Sequence, residues 1–199
     1  MSIGKLIEFF SMFTRLPIYA EDVRDQILQL GVQDEINFEP LDAPPERLLG
    51  MFLRTRKRNG LYADHVNVST VFYNSNVTPD EQNFICCKEL MHVFDPNITS
   101  GVRNAAELEQ LLQYLFEEAS QKSSFSTSVM SGFLDEAALF MAFAVMFPED
   151  VRVQFQEAHS AGRMSHNDIA RELGIPAAYV PPLLTPQWDG IRNILLRLR

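Results

Sequence analysis

Between Phe133 and Phe147 the chain carries only two charged residues, Asp135 and Glu136, and both lie at the start of the run. A segment that long with no polar face is stable in water only when other elements surround it, so the pattern predicts a central buried helix. It is too short for a bilayer, which needs about 20 apolar residues, and Pro148 closes it. The rest of the chain has to cover this helix. With 199 residues, 46% of them hydrophobic and 22% charged, there is enough material for one compact α+β domain, mostly helical, with a genuine core.

The covering elements can be read from local signals. Ile3, Leu6, Ile7, Phe10 and Phe13 recur at helical spacing, which predicts an amphipathic helix laid on the domain. Lys5 and Glu8 interrupt this run and no small-residue cleavage site precedes Glu21, so it does not read as a signal peptide. The first forty residues read as two helices, followed by a Pro-rich extended connector from Glu39 to Glu46. Asn59-Gly60 predicts a tight turn between strands at Met51–Arg56 and His65–Tyr73. Thr78-Pro79-Asp80-Glu81 combines a capping threonine, a proline at the first helical position and an acid that completes a capping box. The helix it starts should run to about Phe94, because Pro96 disfavours helical geometry at Asp95. Asn104 and Glu107 repeat the capping logic for a helix ending near Glu118, and the serine-rich stretch from Ser120 to Ser131 reads as a loop. Ser165 to Val180 has the alanine, glycine and valine spacing of a helix-turn-helix unit. The expected organisation is an N-terminal pair of helices with connector (1–48), a main domain (49–184) and a helical tail (185–199).

Charge narrows the function classes. A net charge of −9 is opposite to what phosphate neutralisation requires, so a general nucleic-acid binder is not expected. The one local exception is Arg54, Arg56, Lys57 and Arg58, which reads as a solvated hairpin tip; its functional reading is a dock for an acidic partner or a phosphate. The second segment of the helix-turn-helix pattern, 176–187, has no Lys or Arg and contains Pro181-Pro182, so packing on the core is expected there rather than DNA readout. Cys86 and Cys87 are adjacent and are the only cysteines. They cannot build a disulfide framework, and they read as small core residues of a protein in the reducing cytoplasm. No membrane association is expected. His65, His159 and His166 fall in no ligand pattern and read as surface or structural residues.

The chemistry-bearing constellation is Lys88-Glu-Leu-Met-His92 on the well-capped helix. A zincin uses His-Glu-x-x-His because residues four apart share a helical face, where two imidazoles grip Zn²⁺ and the intervening Glu activates its water. Here the Glu and the second His are present, and lysine stands in the first His position. Glu-x-x-His alone is too short to mean much, so its context decides.

That context is Ser69 to Asp95, Asp135 to Pro148, and Ile169 to Val180. In this order the three blocks resemble the strand and zinc helix, the buried helix, and the helix-turn-helix-like ending of the ImmA/IrrE family of zincin metallopeptidases. The resemblance spans roughly Leu61 to Leu184. It implies a zincin-like domain with a small sheet beside the motif helix. It also implies that Glu89 holds the general-base position, His92 the second ligand position and Asp135, usually a glutamate in the family, the third. Lys88 holds the first ligand position, Met91 replaces a common glycine and Leu139 a common asparagine. The pocket is expected to comprise Lys88, Glu89, His92, Asp135 and Glu136.

A lysine keeps its proton up to about pH 10, so Lys88 has no lone pair to donate and repels a dication. Cys87 is five residues from His92, roughly 140° around a helix, and cannot replace it. The leading expectation is therefore a non-catalytic pseudo-metallopeptidase without a metal cofactor, in which the Lys88 ammonium balances Glu89 and Asp135. The bland reading of Lys88 is an exposed lysine paired with an acid a turn away. For Asp135 and Glu136 it is favourable placement of acids at a helix N-terminus. The family setting, bacterial or phage, suggests a protein partner such as a transcriptional repressor or regulator. One alternative is an active zinc metallopeptidase with His92, Asp95 and Asp135 as ligands. The other is a nucleic-acid-associated regulator acting through the 54–58 hairpin.

Overall fold

The computed structural model describes residues 2–46, 48–58, 65–95 and 128–198, without the side chains of Arg58 and of 128–135. The helices are α1 (Ile3–Ser11), α2 (Ala20–Gln29), α3 (Pro79–Leu90), α4 (Ser128–Met146), α5 (Glu149–Ser160), α6 (His166–Leu173), α7 (Val180–Leu183) and α8 (Pro186–Arg197). The strands are β1 (Glu35–Leu41), β2 (Gly50–Arg58) and β3 (His65–Asn74). The protein is thus mixed α+β, helix-rich with one small sheet. No helix among the described residues is long and apolar enough to cross a membrane.

α4 has the character its sequence predicts: Ala137, Ala138 and every residue from Met141 to Met146 are buried, with Leu139 and Phe140 partly buried against the core. It begins at Ser128, however, so the last four residues of the expected serine-rich loop are its first turn. The rest of that loop, 120–127, and the helix expected over Asn104–Glu118 lie outside the described residues. α3, α1 and α8 pack on α4. α1 buries Ile3, Leu6, Ile7 and Phe10, the residues its periodicity marks. The C-terminal region is fastened by Arg152, a buried guanidinium that bonds Glu149 on its own helix and Asp189 on α8.

The sheet has the order β1-β3-β2. β2 and β3 pair antiparallel with Arg58 opposite His65, as the two predicted strands require, although Asn59-Gly60 lies outside the described residues. β1 is a finding the sequence does not signal. It pairs parallel with β3, Glu35 beside Val68 through Leu41 beside Asn74, and its last residues are the start of the expected Pro-rich connector. Its edge position explains why Pro40, which has no N–H to donate, is tolerated there. Successive register pairs place Gly50, Phe52 and Arg54 of β2 on one sheet face with Tyr73, Val71 and Ser69 of β3 and with Ile36 and Phe38 of β1. This face meets α3.

α3 starts where the local signals place it. The Thr78 hydroxyl accepts from the Glu81 N–H, and the Glu81 carboxylate accepts from the Thr78 N–H, a complete capping box. Its end differs from expectation. The α-helix stops at Leu90, and Met91–Phe94 tightens into a 3-10 turn. The second half of the C-terminal unit is likewise irregular: after Gly174, which ends α6 in the left-handed conformation, come a 3-10 turn at Ala177–Tyr179 and the four-residue α7. Pro181 and Pro182 supply no N–H to extend a longer helix there.

Gly50 marks a close approach of sheet to motif helix. A Cβ at this position would overlap Ile85 Cγ2 and stand 3.0 Å from Glu89 Cγ. Ile85 is β-branched and cannot swing its methyl away freely. Gly50→Ala is therefore expected to destabilise the protein by about 1–3 kcal/mol. A urea midpoint equal to that of the unmodified protein would show that β2 can shift off α3 without cost.

Candidate functional site

The side chains of Lys88, Glu89, His92 and Asp95 form a continuous polar chain at the end of α3. Lys88 Nζ donates to Glu89 Oε1 at 3.0 Å, with the lysine side chain 18% and the glutamate 6% exposed. His92 Nε2 stands 3.7 Å from Glu89 Oε2, and His92 Nδ1 lies 2.7 Å from Asp95 Oδ2. Because a carboxylate only accepts, the Nδ1–H is the donor to Asp95, and Nε2 is turned toward Glu89.

The end of α3 and the 3-10 turn that continues it make this arrangement together. Positions three apart are neighbours on a helix and eclipse where the turn tightens to 3.0 residues, so His92 lies between Glu89 and Asp95. The pairs Glu89–His92 and His92–Asp95 are both three residues apart. The sheet closes the other side: the rings of Phe52 and His92 are 5.9 Å apart, and Gly50 abuts Glu89.

Arg54 corrects the reading of the basic hairpin. Its Nε donates to Asp34 Oδ2 at 2.8 Å, its Nη2 to the Val93 carbonyl at 3.2 Å, and its guanidinium lies 5.6 Å from the Phe52 ring centre. Ser69 Oγ donates to the same Asp34 oxygen at 2.6 Å. Arg54 thus belongs to a partly buried network against the 3-10 turn, on the sheet face shared with Phe52. Arg56 and Lys57 are exposed, Lys57 with Glu35 at 4.0 Å, and the Arg58 side chain lies outside the described residues. The residues that sequence reasoning missed are Gly50, Phe52, Asp34 and Ser69. The alternation of Gly50, Phe52 and Arg54 was a usable signal, whereas nothing local singles out Asp34.

The remaining expected pocket residues are only partly placed. Glu136 is exposed on α4, and the Asp135 side chain lies outside the described residues. Met91 is fully buried and Leu139 partly so. Among the described residues, no three His, Cys, Asp or Glu side chains form a group that could hold a metal ion. In the alternative ligand set, Asp95 accepts from His92 Nδ1 and so orients the imidazole, the position of an outer partner rather than of a fellow ligand. The cysteines offer no substitute. Burial, with Glu21 and Glu89 adding to it, pushes the Cys86 thiol up to about 12, and burial raises Cys87 well above the ordinary range. Neither supplies a thiolate at neutral pH.

For His92, burial opposes the charged form, but the Asp95 hydrogen bond and the Asp95 and Glu89 charges outweigh it, against a smaller opposing effect of Lys88. The imidazole pKa is therefore raised above its usual value. A raised pKa in the folded state gives a stabilisation that is complete below the unfolded-state value near 6.5 and is lost as pH rises through the folded-state value. Stability should accordingly fall on going from about pH 6 to pH 8, and the fall should vanish in His92→Gln. Chemical denaturation across that range reads it; a slope unchanged by the substitution would exclude His92 as its source.

Comparison of the chain with protein-family models, with curated proteins and with solved structures gives no match.

Proposed function

We propose that this protein is a degenerate ImmA/IrrE-type zincin domain whose metal centre has lapsed, and that it works as a regulatory, protein-binding module rather than as a peptidase. The observation that carries the reading is the Lys88–Glu89 ion pair. It puts an ammonium directly on the carboxylate that a zincin would aim at metal-bound water, in a largely buried position facing the sheet. A buried carboxylate requires a counter-charge, and Lys88 provides one within the motif itself. The strand β3, the capped motif helix and the buried α4 follow in the chain order the family resemblance implies. In this reading the irregular unit after α6 is a form of the family's helix-turn-helix-like ending that packs on the core. The partner in this proposal is a protein, such as a transcriptional regulator in a bacterial or phage setting.

Restoring the missing ligand tests the proposal. Lys88→His rebuilds His-Glu-x-x-His, with Asp135 available as the third ligand, and is expected to bind zinc with micromolar or tighter affinity. The unmodified protein should show no comparable uptake. Titration calorimetry, with circular dichroism to verify folding, makes the measurement. A Lys88→His protein that folds normally and takes up no zinc would refute the lapsed-zincin reading.

A further inference from the structure

We infer that Arg54 is the positioning residue for His92, coupling the edge strand β2 to the orientation of the site imidazole. Two independent routes connect them. The first is hydrogen bonding: Arg54 Nη2 holds the Val93 carbonyl at 3.2 Å, one residue beyond His92 and inside the 3-10 turn that carries His92 and leads into Asp95. The second is ring contact: the guanidinium lies against one side of the Phe52 neighbourhood, 5.6 Å from the ring centre, and the His92 imidazole is 5.9 Å from the same ring. Arg54 is itself fixed from behind. Asp34 accepts from Arg54 Nε at 2.8 Å and from Ser69 Oγ at 2.6 Å, and its side chain is only 9% exposed. Ser69 is completely buried on the central strand.

The geometry requires arginine at this position. The planar fork has donors at both Nε and Nη2, so one side chain reaches the Asp34 carboxylate and the Val93 carbonyl together. A lysine ammonium is a point donor and cannot span both acceptors in the same way. Releasing the Val93 carbonyl frees the tight turn to relax, and the separation between His92 Nδ1 and Asp95 Oδ2 depends on that turn because both residues lie on it or next to it. The inference concerns His92 geometry, so it stands apart from the question of whether the site descends from a zinc centre.

The experiment is proton NMR of the imidazole Nδ1–H groups in ¹⁵N-labelled protein, with the His92 signal identified by its loss in His92→Gln. His159 provides an internal control, because its Nδ1–H donates to the Met164 carbonyl at 2.9 Å in the corner between α5 and α6. In Arg54→Met, which keeps an unbranched stem beside Phe52 but has no donors, the His92 Nδ1–H should exchange with solvent about tenfold faster, the factor that one hydrogen bond of ordinary strength supplies. The His159 proton should keep its rate, and Arg54→Lys should fall between the two. If Arg54→Met does not fold, Asp34→Asn provides the same reading, since it removes the charge that fixes the guanidinium while keeping the side-chain volume. An unchanged His92 exchange rate in whichever of these two variants folds, or equal acceleration of His92 and His159, would overturn the inference.

Discussion

Truncating Trp188 to alanine should lower stability by about 3–5 kcal/mol, the range for deleting a large aromatic side chain from a packed core. Trp188 is 1% exposed and sits where α8 meets α4, with Phe140 at 6.4 Å and Phe143 edge-on at 6.5 Å between ring centres. Phe143 stacks in turn on Phe84 of the motif helix at 5.6 Å, and Tyr179 touches both. The loss would therefore be transmitted from the C-terminal helix toward α3. Trp188→Phe should cost much less, about 1–2 kcal/mol, because the buried indole Nε1 has no hydrogen-bond partner among the described residues and no polar interaction is lost. Urea denaturation with an unchanged slope separates these values. Equal losses for Ala and Phe would mean that the indole nitrogen, not ring volume, dominates.

The second large effect is expected at Lys88. Lys88→Ala removes the ammonium from a carboxylate that is only 6% exposed, and breaking such a pair by deleting one partner should cost about 2–4 kcal/mol. His92, with Nε2 at 3.7 Å from Glu89, can supply part of the missing charge by taking up a proton, which favours the lower end of that range. Replacing both partners, as Lys88→Met with Glu89→Leu, should recover most of the loss, since an apolar pair of similar volume needs no counter-charge. A single substitution that costs less than about 0.5 kcal/mol would place the pair among solvent-screened surface bridges and remove the main support for the lapsed-site proposal.

Several features of the site were legible in the sequence. The start of α3 was, because Thr78, Pro79 and Glu81 act on one another within a single turn. The neighbourhood of Lys88, Glu89 and His92 was legible for the same reason: residues three or four apart on a helix are held together by local geometry. The direction of Arg54 was not. Read as one of four basic residues near a turn, it looks solvated, but the β2–β3 register points it inward to Asp34, twenty residues earlier in the chain. Side-chain direction in a strand alternates with every residue, so an uncertainty of one in register reverses the answer.

By itself the sequence determined the elements whose causes are local: the amphipathic α1, the capping box of α3, the paired strands β2 and β3, and the buried character of α4. Only the tertiary structure decided the rest. β1 contains Pro40 and two glutamates and acquires its identity as a strand from parallel pairing with β3, more than thirty residues away. The tightening at Met91 similarly reflects the surroundings. Met91–Phe94 fits between the sheet and α4, and Arg54 holds its Val93 carbonyl from the sheet side. Backbone conformations that are nearly equal in intrinsic energy, such as the α and 3-10 forms of a final turn, are selected by contacts from distant parts of the chain. Those contacts hold the turn in which His92 meets Asp95.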